Sequence, residues 1–278
     1  MKTRILTSVV AICILLPVLY FSGTPVLTAA IAAVAVISIY EILKCIGVKK
    51  LYISLPIYVA AAGVPFLLRH TKDSHTFATV AFCAAAVILI YLFAVSVLSH
   101  GKFTFEMLGT VYAASLYIIA AYSAIIYIRD FGDHGKYLYL LIFIGAWVTD
   151  TFAYFSGMLF GKHKLIPDVS PKKTVEGSIG GTLFCAIAFV IFGVIMNTWF
   201  GTDANFLVLA IGGVFMAVIA QIGDLIMSVI KRHYGIKDYG KIFPGHGGML
   251  DRFDSVLIVS LGLAVLCMFV SLFGIKLL

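Results

Sequence analysis

Nine apolar runs divide this sequence, at about residues 5–21, 26–46, 51–68, 77–98, 107–128, 137–160, 177–200, 205–232 and 253–275. They stay apolar over roughly 18 residues or more, the length of helix that crosses the hydrocarbon layer, whereas the strands of a membrane barrel alternate over about 10. In lipid every backbone N–H and C=O must be satisfied within the protein, and a helix does so segment by segment. The chain is therefore read as an all-α integral membrane protein, a polytopic bundle of about nine transmembrane helices. Composition agrees: 62% hydrophobic residues, 12% charged residues and a mean hydropathy of +1.08 leave too little polar surface for a water-soluble fold. The apolar run after Lys2 and Arg4 is long for a signal peptide and no A-x-A site follows it, so it is read as a retained first helix.

Nine crossings put the termini on opposite sides, and the distribution of cations then sets the orientation. Of the 20 Lys and Arg residues, only Arg69, Lys72, Arg129, Lys136 and Lys276 fall on the side away from the N-terminus, leaving 15 on the N-terminal side. The N-terminus is thus expected in the cytoplasm and the C-terminus outside. The net charge of +7 is read as this positive-inside bias, with no nucleic-acid partner. Cys13, Cys45, Cys83, Cys185 and Cys267 are odd in number and lack C-x-x-C spacing, which supports neither a disulfide framework nor a zinc site.

Polar chemistry is concentrated in two cytoplasmic stretches. Residues 161–176 and 224–254 are 47 of the 278 residues yet hold 15 of the 33 charged side chains. The first follows a helix on which Asp150 and Tyr154 share a face, continued by Gly157 and Gly161. An intramembrane carboxylate is costly and faces a bundle interior or a wet cavity, so Asp150 is either a functional group or an internally paired structural one. Ser170, Pro171, Lys172, Lys173 and Thr174 then combine hydroxyls, cations and a following helix N-terminus, a set suited to phosphate oxygens or to anchoring on lipid headgroups.

In the second stretch Asp224, Ser228 and Lys231 follow i, i+4, i+7 spacing, with Gln221 one turn deeper, and so form a polar stripe on an apolar helix. Lys237, Asp238 and the turn Pro244-Gly245-His246-Gly247-Gly248 lead to Asp251, Arg252 and Asp254. His246 is read as a turn residue in preference to a metal ligand. Asp224 and Asp251, carboxylates on different helices with no Cys and few His nearby, make a hard oxygen site suited to Mg²⁺ or Mn²⁺. Acids, cations and glycines at a membrane surface fit phosphoryl or nucleotidyl transfer, in which two phosphate-bearing reactants must be brought together against their repulsion. There is no G-x-x-x-x-G-K-[ST] motif, so a P-loop is excluded.

The run from Ser228, SVIKRHYGIKDYGKIFPGHGGMLDRFDS, resembles the signature of the phosphatidate cytidylyltransferases, or CDP-diacylglycerol synthases. Its Ser-x-x-Lys-Arg, Lys-Asp, Pro-x-His-Gly-Gly and Asp-Arg-x-Asp elements occur in order, and the segments DTFAYFSGMLFGKHKL and SPKKTVEGSIGG resemble the same family. The resemblance implies transfer of CMP from CTP to phosphatidate, giving CDP-diacylglycerol and pyrophosphate for phospholipid synthesis. It also implies dependence on one or two Mg²⁺ ions and a homodimer among the lipids of a bacterial cytoplasmic membrane. On this reading residues 1–278 form one membrane domain, with N-terminal helices over 1–136 and catalytic helices and cytoplasmic loops over 137–278. Asp224 and Asp251 would be the metal ligands and catalytic acids, with Lys231 and Arg232 as catalytic cations. Ser228, Asp238 and Asp254 would surround phosphate and metal, and Lys172, Lys173 and Thr174 would hold phosphates. Ser170, Glu176, Lys237, His246, Gly247, Gly248 and Arg252 complete the implied substrate-binding set.

Three rivals fit less well. A CTP-dependent polyprenol or phytol kinase shares the helix arrangement but not the full Pro-Gly-His-Gly-Gly and Asp-Arg-x-Asp match. A CDP-alcohol phosphotransferase would need a D-G-x-x-A-R element, which is missing from the sequence. A transporter coupled through Asp150 and Asp224 would leave the glycine-rich loop unexplained.

Overall fold

Among the described residues each of the nine apolar runs is largely helical. A computed structural model describes residues 2–69, 74–245, 247–274 and 277; Lys72 and Lys276 of the charge count and His246 of the loop motif lie outside them. The helices are α1 (Lys2–Tyr20), α2 (Pro25–Ile46), α3 (Leu51–Leu67), α4 (Ser74–Leu98), α5 (Phe105–Asp130), α6 (Gly135–Leu138), α7 (Leu140–Phe160), α8 (Val175–Phe200), α9 (Phe206–His233) and α10 (Leu250–Leu272). Among the described residues seven segments are long and apolar enough to cross a membrane, and Val9–Tyr20 of α1 and Leu51–Leu67 of α3 are shorter apolar helices. The chain is a multi-pass membrane protein. Local signals set several starts: the Thr24 hydroxyl accepts from Val26 N ahead of Pro25, and the Thr104 hydroxyl accepts from Met107 N.

Two details differ from the sequence reading. The run expected as one helix over 137–160 is split into α6 and α7 at Tyr139, where Ile142 N bonds back only three residues, to Tyr139 O, in a tightened turn. The stretch after α7 is a hairpin, β1 (Lys164–Ile166) antiparallel to β2 (Ser170–Thr174), with Lys164 opposite Thr174 and Ile166 opposite Ser170.

The chain divides into two compact units, one of residues 1–132 and 234–253, the other of residues 133–233 and 254–278. The first holds α1 to α5, the loop after α9 and the first residues of α10. Its core includes the fully buried Ile39, Ile57, Val111 and Ile125, and a Ser38 to Tyr122 hydroxyl hydrogen bond of 2.9 Å joins α2 to α5.

In the second unit α7, α8 and α9 pack together with the hairpin and the rest of α10. The α7–α8 seam is close because it is lined by small residues. A Cβ on Gly177 would stand 2.6 Å from the Ala153 carbonyl oxygen and 2.9 Å from Thr174 Oγ1. Gly177→Ala should therefore destabilise the protein: the gain in helix propensity is at most about 1 kcal/mol, whereas overpacking against backbone costs about 1–3 kcal/mol. A lower melting temperature in detergent is expected, and an unchanged one would contradict the tight seam.

Candidate active site

In the second unit the strand geometry of β2 aims consecutive lysines differently. Lys172 is exposed, whereas Lys173 turns inward and its ammonium pairs with Asp224 Oδ2 of α9, both side chains being about a quarter exposed (25% and 27%). Lys173 Nζ also donates to the Gln221 carbonyl (3.5 Å). Gln221, buried one turn deeper on α9, donates from Nε2 to Ser178 O (3.4 Å) and Thr182 Oγ1 (3.2 Å) of α8. The polar stripe foreseen on α9 thus fixes that helix against α8 at one end and presents Asp224 to a cation at the next turn.

Thr174 ends β2 and caps α8, its hydroxyl accepting from Gly177 N at 3.1 Å. Glu176, in the first turn of α8, accepts from the His163 ring (2.6 Å) and from His163 N, which closes the base of the hairpin. Ser170 lies on β2; Ser228 is half-buried on α9, and Arg232 is exposed near its end.

Asp254 of α10 lies within electrostatic reach of Asp224 of α9, Asp150 of α7 and Lys231. Asp254 Oδ1 accepts from Ser255 N (2.9 Å), and Ser255 Oγ donates to Asp150 Oδ2 (3.2 Å). Three carboxyl groups and two lysines, Lys173 and Lys231, are thus gathered in this cluster. The sequence reading left Asp150 either functional or internally paired, with no direct ligand role; the structure brings it to this cluster through Ser255.

In the first unit Asp251 is buried at 8% exposure, and its Oδ2 accepts from Tyr239 N (2.8 Å) and Gly248 N (2.9 Å). The intervening turn is closed by Phe243 N donating to Gly247 O at 2.9 Å, with Gly247 at φ +87°. Lys237, Asp238 and Arg252 are exposed. Because α10 begins at Leu250, Asp251 and Asp254 stand i, i+3 on a formed helix.

One residue of this region escaped the sequence reading. Glu41 of α2, 1% exposed, accepts from Met249 N at Oε1 and from Leu250 N at Oε2, both at 2.9 Å. The available signal was that Glu41 is the only acid among the first 72 residues and lies inside an apolar run.

Among the described residues no group of three or more His, Cys, Asp or Glu side chains is placed so as to hold a metal ion. The donors gathered here are hard carboxylate oxygens, the ligand type that Mg²⁺ takes together with water and substrate phosphates.

The fold and these clusters define a polytopic α-helical membrane protein with its ionisable chemistry drawn onto α7, β2, α9 and α10. Residues 2–271 match the Cytidylyltransferase family. Relatives include the phosphatidate cytidylyltransferase of Staphylococcus haemolyticus (strain JCSC1435), 35% identical over 261 residues, covering 93% of this chain and 96% of that protein. Another is the phosphatidate cytidylyltransferase of Bacillus subtilis (strain 168), 35% identical over 266 residues, covering 93% of this chain and 94% of that protein. The chain belongs to the Cytidylyltransferase family, and it is an enzyme of the cytidylyltransferase type.

Proposed function

We propose that this enzyme transfers CMP from CTP to phosphatidate, giving CDP-diacylglycerol and pyrophosphate, with Mg²⁺ as its metal. The observation that carries the substrates is the end-to-end likeness to relatives named for that activity. The reaction joins two anions: a phosphate oxygen of phosphatidate attacks the α-phosphorus of CTP, the bond to the bridging oxygen breaks, and pyrophosphate leaves with that electron pair. Lys173 and Lys231 would offset the charge gathered on the oxygens, with Lys172 and Arg232 adding cations to the same elements. Mg²⁺, when bound, would neutralise phosphate oxygens and favour departure of pyrophosphate. Asp224 and Asp251 are the carboxylates proposed to hold it, and Asp254 lies close enough to Asp224 to influence it. Offered CTP with either phosphatidate or a polyprenol, the purified protein should consume CTP only with phosphatidate; consumption with the polyprenol alone would favour the lipid-kinase reading.

The same proposal places the N-terminus and the loops 161–176 and 233–252 in the cytoplasm, the C-terminus outside, and the chain in a homodimer in a bacterial cytoplasmic membrane. The cation distribution supports the orientation. Contacts inside the first unit support it too, because Glu41 reaches Met249 and Leu250, so the end of α2 that leads to Lys44, Lys49 and Lys50 lies beside the loop before α10. A cysteine placed at position 170 in a cysteine-free background should resist impermeant reagents added to intact cells. Labelling there from outside would overturn this topology.

A further inference from the structure

We propose that Glu41 is a positioning residue for Asp251, setting from the N-terminal helices where the turn 239–251 presents that carboxylate. The proposal rests on the reading of Asp251 as a metal-binding acid. A helix begins with N–H groups that lack intrahelical partners, and a Ser, Thr, Asp or Asn at the preceding position ordinarily satisfies one of them. The residue before α10 is Met249, which has no side chain able to do so. Glu41 supplies the missing acceptor from 208 residues upstream, one oxygen to Met249 N and the other to Leu250 N. Its negative charge also sits at the positive end of the α10 dipole.

The glycines of the turn point the same way. A Cβ on Gly240 would stand 2.1 Å from Glu41 Oε1, and a Cβ on Gly248 would stand 2.4 Å from it. Neither has the positive φ found at Gly245 and Gly247, so the backbone conformation does not demand glycine at 240 or 248. The Glu41 carboxylate occupies the space their side chains would fill. Three consecutive amides are therefore held by two acids, Gly248 N by Asp251 and Met249 N and Leu250 N by Glu41. Loosening the Glu41 end frees the backbone immediately before Asp251, whose position in turn governs its fitness as a ligand. Outer partners of this kind typically change metal affinity or activity about 10–100-fold.

The test uses the full-length protein in detergent and reads Mn²⁺ binding from loss of the free-ion electron paramagnetic resonance signal, alongside the Mg²⁺ dependence of CMP transfer. In Glu41→Gln the amide nitrogen meets a backbone donor and one of the two bonds is lost. Binding of Mn²⁺ should weaken about tenfold, and the Mg²⁺ requirement should rise with it, in protein that remains monodisperse. Gly240→Ala, which crowds the carboxylate while leaving Glu41 in place, should shift both in the same direction and serves if Glu41→Gln does not fold. A lower melting temperature with unchanged Mn²⁺ binding in the folded variants would make Glu41 a helix cap only and overturn the proposal. Asp251→Asn separates the two levels: if it binds Mn²⁺ and turns over normally, the assignment of Asp251 fails and this proposal with it. If Asp251→Asn is inactive while Glu41→Gln and Gly240→Ala keep wild-type Mn²⁺ binding, the proposal for Glu41 alone fails.

Discussion

Asp224→Asn and Asp251→Asn should each lower CMP transfer roughly a hundredfold or more, the scale of loss when preorganised electrostatic stabilisation of a reacting centre is removed. Both substitutions preserve size, and both leave most of the local bonding in place. An Asn at 224 still offers an oxygen to the Lys173 ammonium, and an Asn at 251 still offers one to Tyr239 N and Gly248 N, the donors that Asp251 Oδ2 now receives. What disappears is the charge on which Mg²⁺ binding is proposed to depend. Normal yield and monodispersity with collapsed turnover is the expected outcome, and near-normal turnover of Asp224→Asn at low Mg²⁺ would refute its assignment. Asp150→Asn should be much milder, because Ser255 Oγ keeps an oxygen acceptor and Asp150 is given no direct ligand role.

Lys173→Met should have an effect of comparable scale, again roughly a hundredfold on kcat/KM. Its ammonium pairs with Asp224, and without it fewer cations remain beside Asp150, Asp224 and Asp254. With each partner about a quarter exposed, solvent screens part of the loss in stability, so the larger consequence falls on phosphate recognition. Lys173→Arg retains the charge with a different donor geometry and should recover part of the activity. Steady-state kinetics with CTP and phosphatidate varied in turn would show it; equal activity in the Met and Arg variants would mean that the charge at 173 is immaterial.

The helices were legible in this sequence because lipid removes the alternatives: a continuous apolar run that must satisfy its own backbone has helix as its solution. The α9 stripe was legible for the same reason that α9 is one uninterrupted helix, so that spacing in sequence translates into a shared face. The hairpin was not, since strands of three and five residues around Pro167 and Asp168 are too short for alternation to stand out. Lys173 and Asp224 were each singled out, one for phosphate and one for metal, but their ion pair joins residues on separate elements and no periodicity encodes it. Glu41 was missed on the same grounds. Its meaning lies wholly in two amides more than two hundred positions away, and nothing around it in α2 announces them.

The fate of the phosphorus atoms of CTP tests the central claim most directly. With phosphatidate, Mg²⁺ and the purified protein, label at the α position should pass into an organic-soluble lipid, and label at the γ position should leave as pyrophosphate. Appearance of the γ-label in the lipid, with release of CDP, would contradict cytidylyl transfer and place the chain's chemistry with the lipid kinases.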